Sequence, residues 1–236
     1  MSEIETSHIT HYKNLPSKFQ RWFSTRGWQI YEHQLSMISE FKKGNSCLLI
    51  APTGSGKTLS GFLPSLIELC ELPFENKLKP KLHTLYISPL KALSVDVQRN
   101  LQIPITEMDL PILCETRTSD TSPKKRNRQK VKPPNILLTT PESLELMLAW
   151  PEAKNYFFNL STIIIDEIHS VIGNKRGDLL SLSITTLRNY APNASFIGLS
   201  ATVADSGQLA KWLAPEPNKV TILKPNITKK IDIKIY

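Results

Sequence analysis

The sequence predicts an α/β fold of three layers, in which a mostly parallel sheet is flanked by helices on both faces. Short apolar segments alternate along the chain with longer segments whose apolar residues recur at helical spacing. The short segments are apolar at nearly every position, which is typical of parallel strands that are buried on both faces. Strands and helices that alternate in this way form a parallel sheet with helices packed against it.

Six short segments are predicted as strands and seven longer ones as helices. The predicted strands are Cys47–Ile50, Leu85–Ile87, Ile112–Glu115, Asn135–Leu138, Thr162–Ile165 and Phe196–Leu199. The predicted helices are Ser17–Thr25, Glu32–Lys43, Leu59–Leu69, Lys91–Asn100, Glu142–Leu148, Leu179–Asn189 and Ser206–Leu213. Ser17 is a plausible N-cap for the first helix, and Pro141 is well placed at the start of the fifth.

The domain organisation follows from length and composition. The chain has 236 residues, enough for one large α/β domain or two small ones, and we expect one domain over residues 17–215. Residues 1–16 are expected to be loosely ordered, and residues 216–236 to form strands or a linker. No apolar run approaches the ~20 residues that span a bilayer, and the N-terminus lacks a signal-peptide pattern. The three cysteines are too far apart to suggest a disulfide framework or a metal site. We therefore expect a cytoplasmic protein with no membrane partner.

A glycine-rich turn between a strand and a helix predicts a nucleotide triphosphate site. Its sequence is Ala51-Pro-Thr-Gly-Ser-Gly-Lys57-Thr58, here called the phosphate loop. Backbone N–H groups in such a turn, together with the N-terminal end of the helix, bind phosphate oxygens. Lys57 reaches the β- and γ-phosphates, and the Thr58 hydroxyl can bind Mg²⁺. The residues assigned to ATP here are Thr53, Gly54, Ser55, Gly56, Lys57 and Thr58. The alternative is a glycine-rich turn that binds nothing.

Two acidic residues after a strand are the natural partners of the phosphate loop. Asp166 and Glu167 directly follow Thr162–Ile165, and such positions line the ligand crevice of an α/β sheet. Asp166 can hold Mg²⁺, while Glu167 can orient and deprotonate the water that attacks the γ-phosphate. An Asp-Glu pair in isolation is more often a solvated turn.

Two further polar segments are candidates for linking the nucleotide site to its surroundings. His169 lies three residues after Asp166, where a role in linking the site to a neighbouring element is favoured over a structural role. A metal site is not expected there, because no second His or Cys lies at ligand spacing. Ser200 and Thr202 flank a small residue at the end of the last predicted strand, and we assign them the same coupling role.

One segment carries most of the excess positive charge. The chain has a formal net charge of +8, and Arg117–Lys132 contains seven Lys or Arg and one Asp, a local charge of +6. This basic segment is predicted to be a surface helix or loop that contacts a phosphate backbone. A solvated surface with no partner is the alternative.

Five of these segments, taken in order, resemble the motifs of a known family. Ala51–Thr58, Ser88–Leu93, Thr139–Leu144, Asp166–His169 and Ser200–Thr202 resemble motifs I, Ia, Ib, II and III of superfamily 2 DExH-box helicases. Within this superfamily, the residues of these motifs are most similar to those of the Lhr-like helicases, including the ligase-associated type. Arg117–Thr121, Gly173–Gly177 and Gly198–Thr202 also fit that group. The resemblance covers about residues 20–215, which corresponds to the first RecA-like domain, a P-loop NTPase fold.

The resemblance implies further roles for individual residues. Gln34 matches the glutamine that recognises the adenine edge, and Trp28 matches the aromatic residue near it. The residues implied to hold a nucleic-acid strand are Pro89, Leu90, Lys91, Arg117, Thr121, Thr140, Pro141, Glu142 and Ser143. Hydroxyls, helix N-terminal amides and a lysine are good donors to phosphates. The implied cofactors are ATP and Mg²⁺, and the implied partner is single-stranded DNA, although the residues leave RNA open.

The sequence departs from the family pattern in several places. Ala51 replaces the usual first glycine of the phosphate loop, Glu32-His33 replaces the Pro-Thr often found before the glutamine, and Ser119 replaces a glycine. A complete helicase of this type also has a second RecA-like domain that supplies arginines to the γ-phosphate. No arginine follows Arg188 in this sequence. We therefore expect a fragment whose partner is the second RecA-like domain of a longer protein.

The function predicted from the sequence is the ATP-binding motor domain of a DNA helicase, or of an RNA helicase. Two alternatives belong to other classes. One is a nucleic-acid-binding module that retains the fold without catalysis, although the presence of Lys57 and Glu167 argues against it. The other is a small-molecule kinase or transporter ATPase, in which the Ser-Ala-Thr and Thr-Pro-Glu-Ser segments have no obvious role.

Overall fold

The computed structural model describes residues 15–73, 81–201, 203, 205–214 and 220–225. Within these ranges, seven strands form one sheet in the order β3-β4-β2-β5-β6-β1-β7, and every pairing is parallel. The strands are β1 Ser46–Ile50, β2 Thr84–Ile87, β3 Cys114–Arg117, β4 Ile136–Thr139, β5 Thr162–Ile165, β6 Ser195–Ser200 and β7 Val220–Leu223.

Helices cover both faces of this sheet. They are α1 Ser17–Thr25, α2 Glu32–Lys42, α3 Lys57–Glu71, α4 Lys91–Glu107, α5 Pro123–Val131, α6 Pro141–Leu148, α7 Ala153–Phe157, α8 Lys175–Tyr190 and α9 Ser206–Leu213. Apolar residues of α1 to α4 pack on one face, and those of α6 to α9 pack on the other. The predicted three-layer fold is therefore confirmed.

Alternation along the strands explains how one chain fills two cores. Leu49 and Leu199 lie in the core beneath α1 to α4, whereas Leu48 and Ile50 lie in the core beneath α6 to α9. Side chains point alternately to the two faces of a strand, so a strand buried on both faces needs apolar residues at every position. The continuous apolar runs in the sequence have this cause.

Several elements differ from the sequence-based expectation, among them α7, which was not predicted, and α8, which begins at Lys175 rather than Leu179; three further differences have a local cause. Strand β3 begins at Cys114 rather than Ile112, because the Leu113 N–H donates to the Asn135 side chain at 2.9 Å instead of to a strand backbone. Helix α4 continues to Glu107 through Pro104, whose burial together with Leu101 offsets the backbone hydrogen bond that proline cannot donate.

The third difference lies at the start of α1. Pro16 occupies the N-cap position with φ −55° and ψ 144°, and Ser17 is the first helical residue rather than the cap. Among the residues that the structure describes, no side chain caps this helix. Proline suits a position that contributes no hydrogen-bond donor at a helix start.

The C-terminal strand joins the same sheet. Strand β7 pairs with β1, with Leu48 opposite Ile222, and forms one edge. The expectations for residues 1–14, 216–219 and 226–236 fall outside the described residues. In the described part of the chain no helix is long and apolar enough to cross a membrane, and all three cysteines are free thiols.

Candidate nucleotide and nucleic-acid site

The carboxyl ends of four adjacent strands bring the distant motifs together. The order β2-β5-β6-β1 places the residues after these strands side by side along one edge of the sheet, here called the carboxyl edge. Ile50 of β1 is in register with Ser200 of β6, and the Ala51 N–H donates to the Ser200 carbonyl at 3.1 Å. Asp166 follows β5, and its N–H donates to the Ile87 carbonyl of β2 at 2.9 Å.

The backbone of the phosphate loop has the conformation that phosphate binding requires. Gly54 and Gly56 both have φ near +77°, a region that side chains disfavour. A Cβ placed on Gly56 would lie 3.1 Å from the Gln34 Nε2, so a larger residue there would have to displace the Gln34 side chain as well as adopt a strained backbone. The Ser55 hydroxyl is buried and has no hydrogen-bond partner among the described residues. Within the described part of the chain, the Ser55 hydroxyl is therefore a buried polar group of the loop that no protein atom satisfies.

Lys57 lies folded within this loop. Its Nζ donates to the Ala51 carbonyl at 2.8 Å, and only 8% of the residue is exposed. A lysine ammonium has three donors. The remaining two suit phosphate oxygens that enter the loop. Burial raises the pKa of the Asp166 carboxyl, and the positive charge of Lys57 opposes part of that rise.

Asp166 is a buried carboxylate that is held by two hydrogen bonds. Its Oδ2 accepts from the Tyr86 hydroxyl at 2.6 Å, and its Oδ1 accepts from the Glu167 N–H at 2.8 Å. Burial raises the pKa of Asp166 above its ordinary value, and these two bonds and Lys57 offset part of that rise. Each carboxylate oxygen keeps a second lone pair, so the group can bind a divalent cation. Thr58, the other predicted ligand, is half-buried in the first turn of α3.

Glu167 has an unusual backbone. Its φ is +48° and its ψ is 39°, the left-handed conformation that non-glycine residues rarely adopt. Such outliers concentrate at functional sites, where the surrounding structure offsets the strain. The side chain is 34% exposed, so its carboxylate faces the open side of the carboxyl edge.

His169 connects Glu167 to the end of β6. Its Nε2 lies 3.3 Å from the Glu167 Oε2. Its Nδ1 lies 3.3 Å from the Ala201 N and 3.2 Å from the Ser200 Oγ. Because a backbone N–H can only donate, Nδ1 is the acceptor, and the neutral ring carries its proton on Nε2, directed at Glu167. Ser200 is buried, whereas Thr202 lies outside the described residues.

A cavity of about 550 Å³ lies between the phosphate loop, α1 and α2. Trp28, Tyr31, Gln34, Gly54 and Gly56 are among the residues that line it. The Gln34 Oε1 accepts from the Tyr31 N–H at 2.9 Å, and Gln34 is 2% exposed. We call this cavity the base pocket. The Gln34 amide lies at its back, and the Trp28 and Tyr31 rings, each about half exposed, lie at its mouth.

Trp28 is held in place by neighbouring charges and rings. The Arg26 guanidinium lies 4.8 Å from the centre of the Trp28 ring and 5.5 Å from that of Trp22. Glu107, at the end of α4, accepts from the Trp22 Nε1 at 2.7 Å and from the Arg26 Nε at 2.8 Å. Helix α4 is therefore tied to the base pocket.

Sequence reasoning missed Tyr31 and Tyr86. The Tyr31 ring stacks on His33 with a centroid distance of 5.3 Å and lines the base pocket. Tyr86 is completely buried in β2. A tyrosine inside an otherwise apolar strand needs a hydrogen-bond partner for its hydroxyl, and that signal was present in the sequence.

The residues suggested for nucleic-acid binding follow β2, β4 and β3, the other part of the same edge. Pro89 is buried, whereas Leu90 is 60% exposed and the Lys91 side chain is half exposed. Lys91 forms an ion pair with Asp120 at 3.1 Å. Lys91 therefore presents its charge at the surface beside the basic segment.

Residues 140–143 form the start of α6. The Thr140 side chain caps the helix by accepting from the Ser143 N–H, and Pro141 is the first helical residue. Thr140, Pro141 and Ser143 are buried, whereas Glu142 is exposed and pairs with the Arg176 Nε at 2.5 Å. Arg176 belongs to Gly173–Gly177, so the structure brings these two segments together.

Arg117 and Thr121 make mainly internal contacts. The Arg117 guanidinium lies 4.6 Å from the centre of the Trp150 ring and donates to the Arg126 carbonyl at 2.9 Å. The Thr121 Oγ1 accepts from the Thr118 N–H at 2.9 Å, which closes the turn before α5. Both residues shape the start of the basic segment in this structure.

Comparison with known proteins identifies the family. The model of the DEAD/DEAH box helicases matches residues 31–209, more than half of the chain. The chain belongs to the DEAD/DEAH box helicase family. Its resemblance to the Lhr-like helicases and the expected RecA-like fold are both confirmed.

Several relatives within the helicase family are longer proteins. The ATP-dependent helicase Lhr-Core protein 2 of Thermococcus barophilus is 38% identical over 239 residues, which covers 95% of this chain and 28% of that protein. The ATP-dependent helicase Lhr-Core of Methanocaldococcus jannaschii is 39% identical over 234 residues, with the same two coverages. The chain therefore spans less than a third of the length of these curated relatives.

Solved helicase structures share the fold. The Mycobacterium smegmatis helicase Lhr, bound to ssDNA and AMP-PNP, matches with a TM-score of 0.83 and 36% identity over 94% of this chain and 29% of that chain. The DUF1998 helicase MrfA bound to DNA matches with a TM-score of 0.75 and 29% identity, covering 91% of this chain and 30% of that one.

Proposed function

We propose that this helicase-family chain is the ATP-binding motor domain of an ATP-dependent DNA helicase that couples hydrolysis to movement along a single strand. One observation carries the proposal. A phosphate loop, a buried Asp166 with its neighbour Glu167, and the link from Glu167 through His169 to Ser200 lie along the same edge as the segments that begin α4 and α6. The residues proposed to act on the nucleotide and those proposed to contact a nucleic-acid strand thus lie along one edge of the same sheet.

In this proposal the phosphate loop and α3 hold the triphosphate. The backbone N–H groups of the loop and the N-terminus of α3 supply donors, and Lys57 exchanges its bond to Ala51 for phosphate oxygens. Gln34 presents its amide to the base edge, while Trp28 and Tyr31 offer ring faces at the mouth of the pocket.

Thr58 and Asp166 are the residues that would hold Mg²⁺. The metal would neutralise charge on the phosphates, which is its usual contribution in phosphoryl transfer. The donor set fits, because Asp166 is a buried carboxylate whose two oxygens each keep a lone pair beyond the bonds from the Tyr86 hydroxyl and the Glu167 N–H. The proposal rests on the oxygen ligands that this ion prefers.

Glu167 is proposed as the general base for the attacking water. Its left-handed backbone directs the carboxylate toward the open side of the edge. The His169 N–H donates to that carboxylate, and the other ring nitrogen accepts from the end of β6. A shift of Ser200 and Ala201 would therefore move His169 and change the position of Glu167.

The proposed track for the nucleic acid follows the ends of β2, β4 and β3. Lys91 and the start of α6 supply donors to a strand backbone without reading its bases. The relatives include helicases bound to ssDNA and DNA, which favours DNA over RNA for this chain. A second RecA-like domain, supplied by a longer protein, would close over the nucleotide. The cytoplasmic location stays a prediction.

A nucleotide titration tests the proposal. We expect Lys57→Ala to weaken the binding of a fluorescent ATP analogue by about ten- to a hundredfold, because hydrogen bonds to charged groups contribute about 1.5–3 kcal/mol. Lys211→Ala, which removes an exposed lysine from α9, is the matched control and should bind as the wild type does.

Each alternative function has its own outcome. Equal affinity of the wild type and Lys57→Ala would favour a nucleic-acid-binding module without catalysis. Failure of both single-stranded DNA and RNA to bind at low salt would favour a small-molecule kinase or transporter ATPase. The motor-domain proposal requires both kinds of ligand to bind.

A further inference from the structure

A second cavity lies near the amino ends of the strands, between the last turn of α5, α7 and the residues just before β2. Its volume is about 620 Å³, and none of its described lining residues also lines the base pocket. We propose that this cavity, here called the amino-side pocket, binds one nucleotide of a single strand that leaves the carboxyl edge along α5. The inference rests on the proposed function, because that function supplies the strand.

Two aromatic rings form one corner of the amino-side pocket. The rings of Trp150 and Tyr156 both line it, with their centres 5.3 Å apart and their planes at 84° to each other. The Arg117 guanidinium lies 4.6 Å from the centre of the Trp150 ring and supports that ring. A base of any identity can stack on an aromatic ring, because every base has a π-face. The corner therefore suits a base without selecting one.

Two lysines supply the positive charge that a phosphate needs. The Lys130 Nζ lies 5.5 Å from the centre of the Trp150 ring and 3.0 Å from the Glu152 carboxylate, and 40% of its side chain is exposed. An exposed ion pair of this kind contributes little to stability, so the ammonium can turn to a phosphate and uncover the ring. Lys81, an exposed residue before β2, also lines the pocket.

Two carboxamides suit the edge of a base. Asn155 is exposed on α7, and within the described part of the chain its side chain forms no hydrogen bond. The Asn159 Oδ1 accepts from the Lys81 Nζ only at the long distance of 3.4 Å. Each amide offers a donor and an acceptor, and base edges present the same two kinds of group. Rings, amides and ammonium groups together match the parts of a nucleotide.

Helix α5 connects the carboxyl edge to this pocket. It follows β3 and precedes β4, so it runs from the carboxyl ends to the amino ends of these parallel strands. Lys124 and Val131 are seven residues apart, about two turns, and therefore lie on the same face of the helix. Lys124 is exposed at the start of α5, while Val131, which is 80% exposed, lines the pocket at its end.

This connection favours a nucleic-acid strand over an acidic peptide of a partner protein. Both carry negative charge, so the lysines alone would admit either. A strand held at the carboxyl edge reaches the pocket by following the exposed face of α5. Carboxamides and an aromatic corner also suit a base better than they suit a carboxylate. The strand is therefore the occupant that the observations support, and the peptide is the alternative that the experiment separates.

The length of a strand distinguishes the amino-side pocket from the carboxyl edge. Dissociation constants are measured by fluorescence anisotropy for labelled oligo-dT of increasing length, with the wild-type chain, Trp150→Leu and Asn155→Ala. We expect both substitutions to leave short strands unaffected and to weaken long ones, Trp150→Leu by about tenfold because the stacking of one base is lost. For Asn155→Ala we expect about threefold. Effects that are equal at every length, or absent at every length, would overturn the proposal.

Glu152→Gln gives a readout that a purely structural role would not produce. Loss of this carboxylate frees Lys130 and removes a negative charge from the pocket, so long strands should bind about two- to threefold more tightly. Glu71→Gln, which removes an exposed carboxylate at the end of α3, is the matched control and should bind as the wild type does. Unchanged or weaker binding by Glu152→Gln, or equal gains in the two variants, would count against the pocket.

Competition identifies the other occupants. Thymidine monophosphate and a poly-glutamate peptide are each added to the wild-type chain with a long and with a short strand. We expect neither to compete at concentrations near the dissociation constant of the long strand. If one of them lowers the affinity of the long strand to that of the short one, the pocket takes a free nucleotide or an acidic peptide instead, and the proposal fails.

Failure of the inference and failure of the proposed function are distinguishable. If the chain is not a strand-binding motor domain, oligo-dT of every length will fail to bind the wild type at low salt. If only the inference is wrong, strands bind, and Trp150→Leu, Asn155→Ala and Glu152→Gln all behave as the wild type. Should Trp150→Leu fail to fold, Asn155→Ala answers the same question, because its side chain is exposed.

Discussion

Glu167 shows how one backbone angle places a functional side chain. At φ +48° it lies one residue beyond Asp166, which follows β5. It turns the chain sharply, and its N–H donates to the Asp166 carboxylate. The same turn directs the two carboxylates differently, since Asp166 is buried and Glu167 is partly exposed. Two adjacent acids therefore receive the two roles that we propose for them.

Substitutions at Glu167 distinguish the effect of backbone strain on stability from the effect of the carboxylate on ATP hydrolysis. Glu167→Gly and Glu167→Ala both remove the carboxylate, but only glycine adopts a left-handed conformation without cost. We expect the glycine variant to be more stable than the alanine variant by about 1 kcal/mol, measured by urea denaturation. Both should bind an ATP analogue and lose hydrolysis. Equal stabilities would show that the left-handed turn carries no strain.

The burial of His33 predicts that the stability of the protein depends on pH. It is 4% exposed, its Nε2 has no partner among the described residues, and burial lowers its pKa, while a hydrogen bond to the Ser55 backbone offsets part of that effect. Between its lowered folded pKa and the unfolded value of about 6.5, the unfolded state binds more protons. Stability is therefore lost as the pH falls through this range.

The test is a comparison of variants. Urea denaturation at pH 7 and pH 5 should show a smaller loss of stability on acidification in His33→Gln than in the wild type. Other groups titrate equally in both proteins, so the difference isolates His33. An identical loss in the two proteins would show that His33 is not held neutral by the fold.

Helix α5 carries the basic segment, and its charges are not equivalent. Arg126 donates to the Ser119 carbonyl at 2.6 Å, and Arg128 pairs with Glu115 at 2.5 Å. Lys124 and Lys125 have no ion pair within the described residues. The structure thus confirms a surface helix, and it assigns part of the positive charge to internal contacts.

The salt dependence of strand binding should follow these differences. For Lys124→Gln with Lys125→Gln, we expect the slope of log K against log salt for a single strand to fall by about 0.7 for each phosphate that the variant no longer neutralises. Lys211→Gln on α9 is the control and should leave the slope unchanged. If substitution of both Lys124 and Lys125 also leaves the slope unchanged, the basic segment is a solvated surface.

Helix α4 spans the distance between the two proposed ligands. It begins at Lys91 and ends at Glu107, which holds Arg26 and Trp22 beside the base pocket. A substitution at the Glu107 end of this helix therefore acts on the nucleotide base rather than on the phosphates.

Glu107→Gln tests that connection. Loss of the charge loosens Arg26 over Trp28, and cation–π contacts of this kind contribute about 0.5–1 kcal/mol. We expect ATP affinity to fall by about two- to fivefold, while affinity for inorganic triphosphate stays constant. Equal losses for the two ligands would place the effect on the phosphate loop and contradict this interpretation.

The chain as a whole is shorter than the curated relatives that it matches. It spans 28% of the two Lhr-Core relatives. No arginine follows Arg188 in the sequence. Arginines that contact the γ-phosphate contribute about 10³–10⁵ to the rate in comparable phosphoryl-transfer enzymes.

We expect this 236-residue polypeptide to bind ATP with Mg²⁺ but to hydrolyse it slowly and to unwind nothing. Steady-state hydrolysis and a strand-separation assay measure this directly. A longer polypeptide that includes a second RecA-like domain should hydrolyse faster by a large factor. Brisk strand separation by the 236-residue chain would contradict the prediction.

Local patterns were enough to predict most elements of the fold and the positions of the motifs. The phosphate loop depends on closely spaced glycines, a lysine and a threonine, and the strands depend on runs such as Thr162–Ile165. Each of these signals lies within a few residues, because backbone conformation and burial on both faces act locally. Helix α9 was predicted with its observed bounds, Ser206–Leu213.

Only the tertiary structure decided which side chains meet. Tyr86 reaches Asp166 across 80 residues of sequence, and Trp22 reaches Glu107 across 85. The same packing determines that Arg117 lies against Trp150, and that α4 continues through Pro104. Such contacts depend on strand order and register, which place distant residues side by side. Local sequence specifies each strand, whereas the position of its neighbour is set by how all the strands pack together.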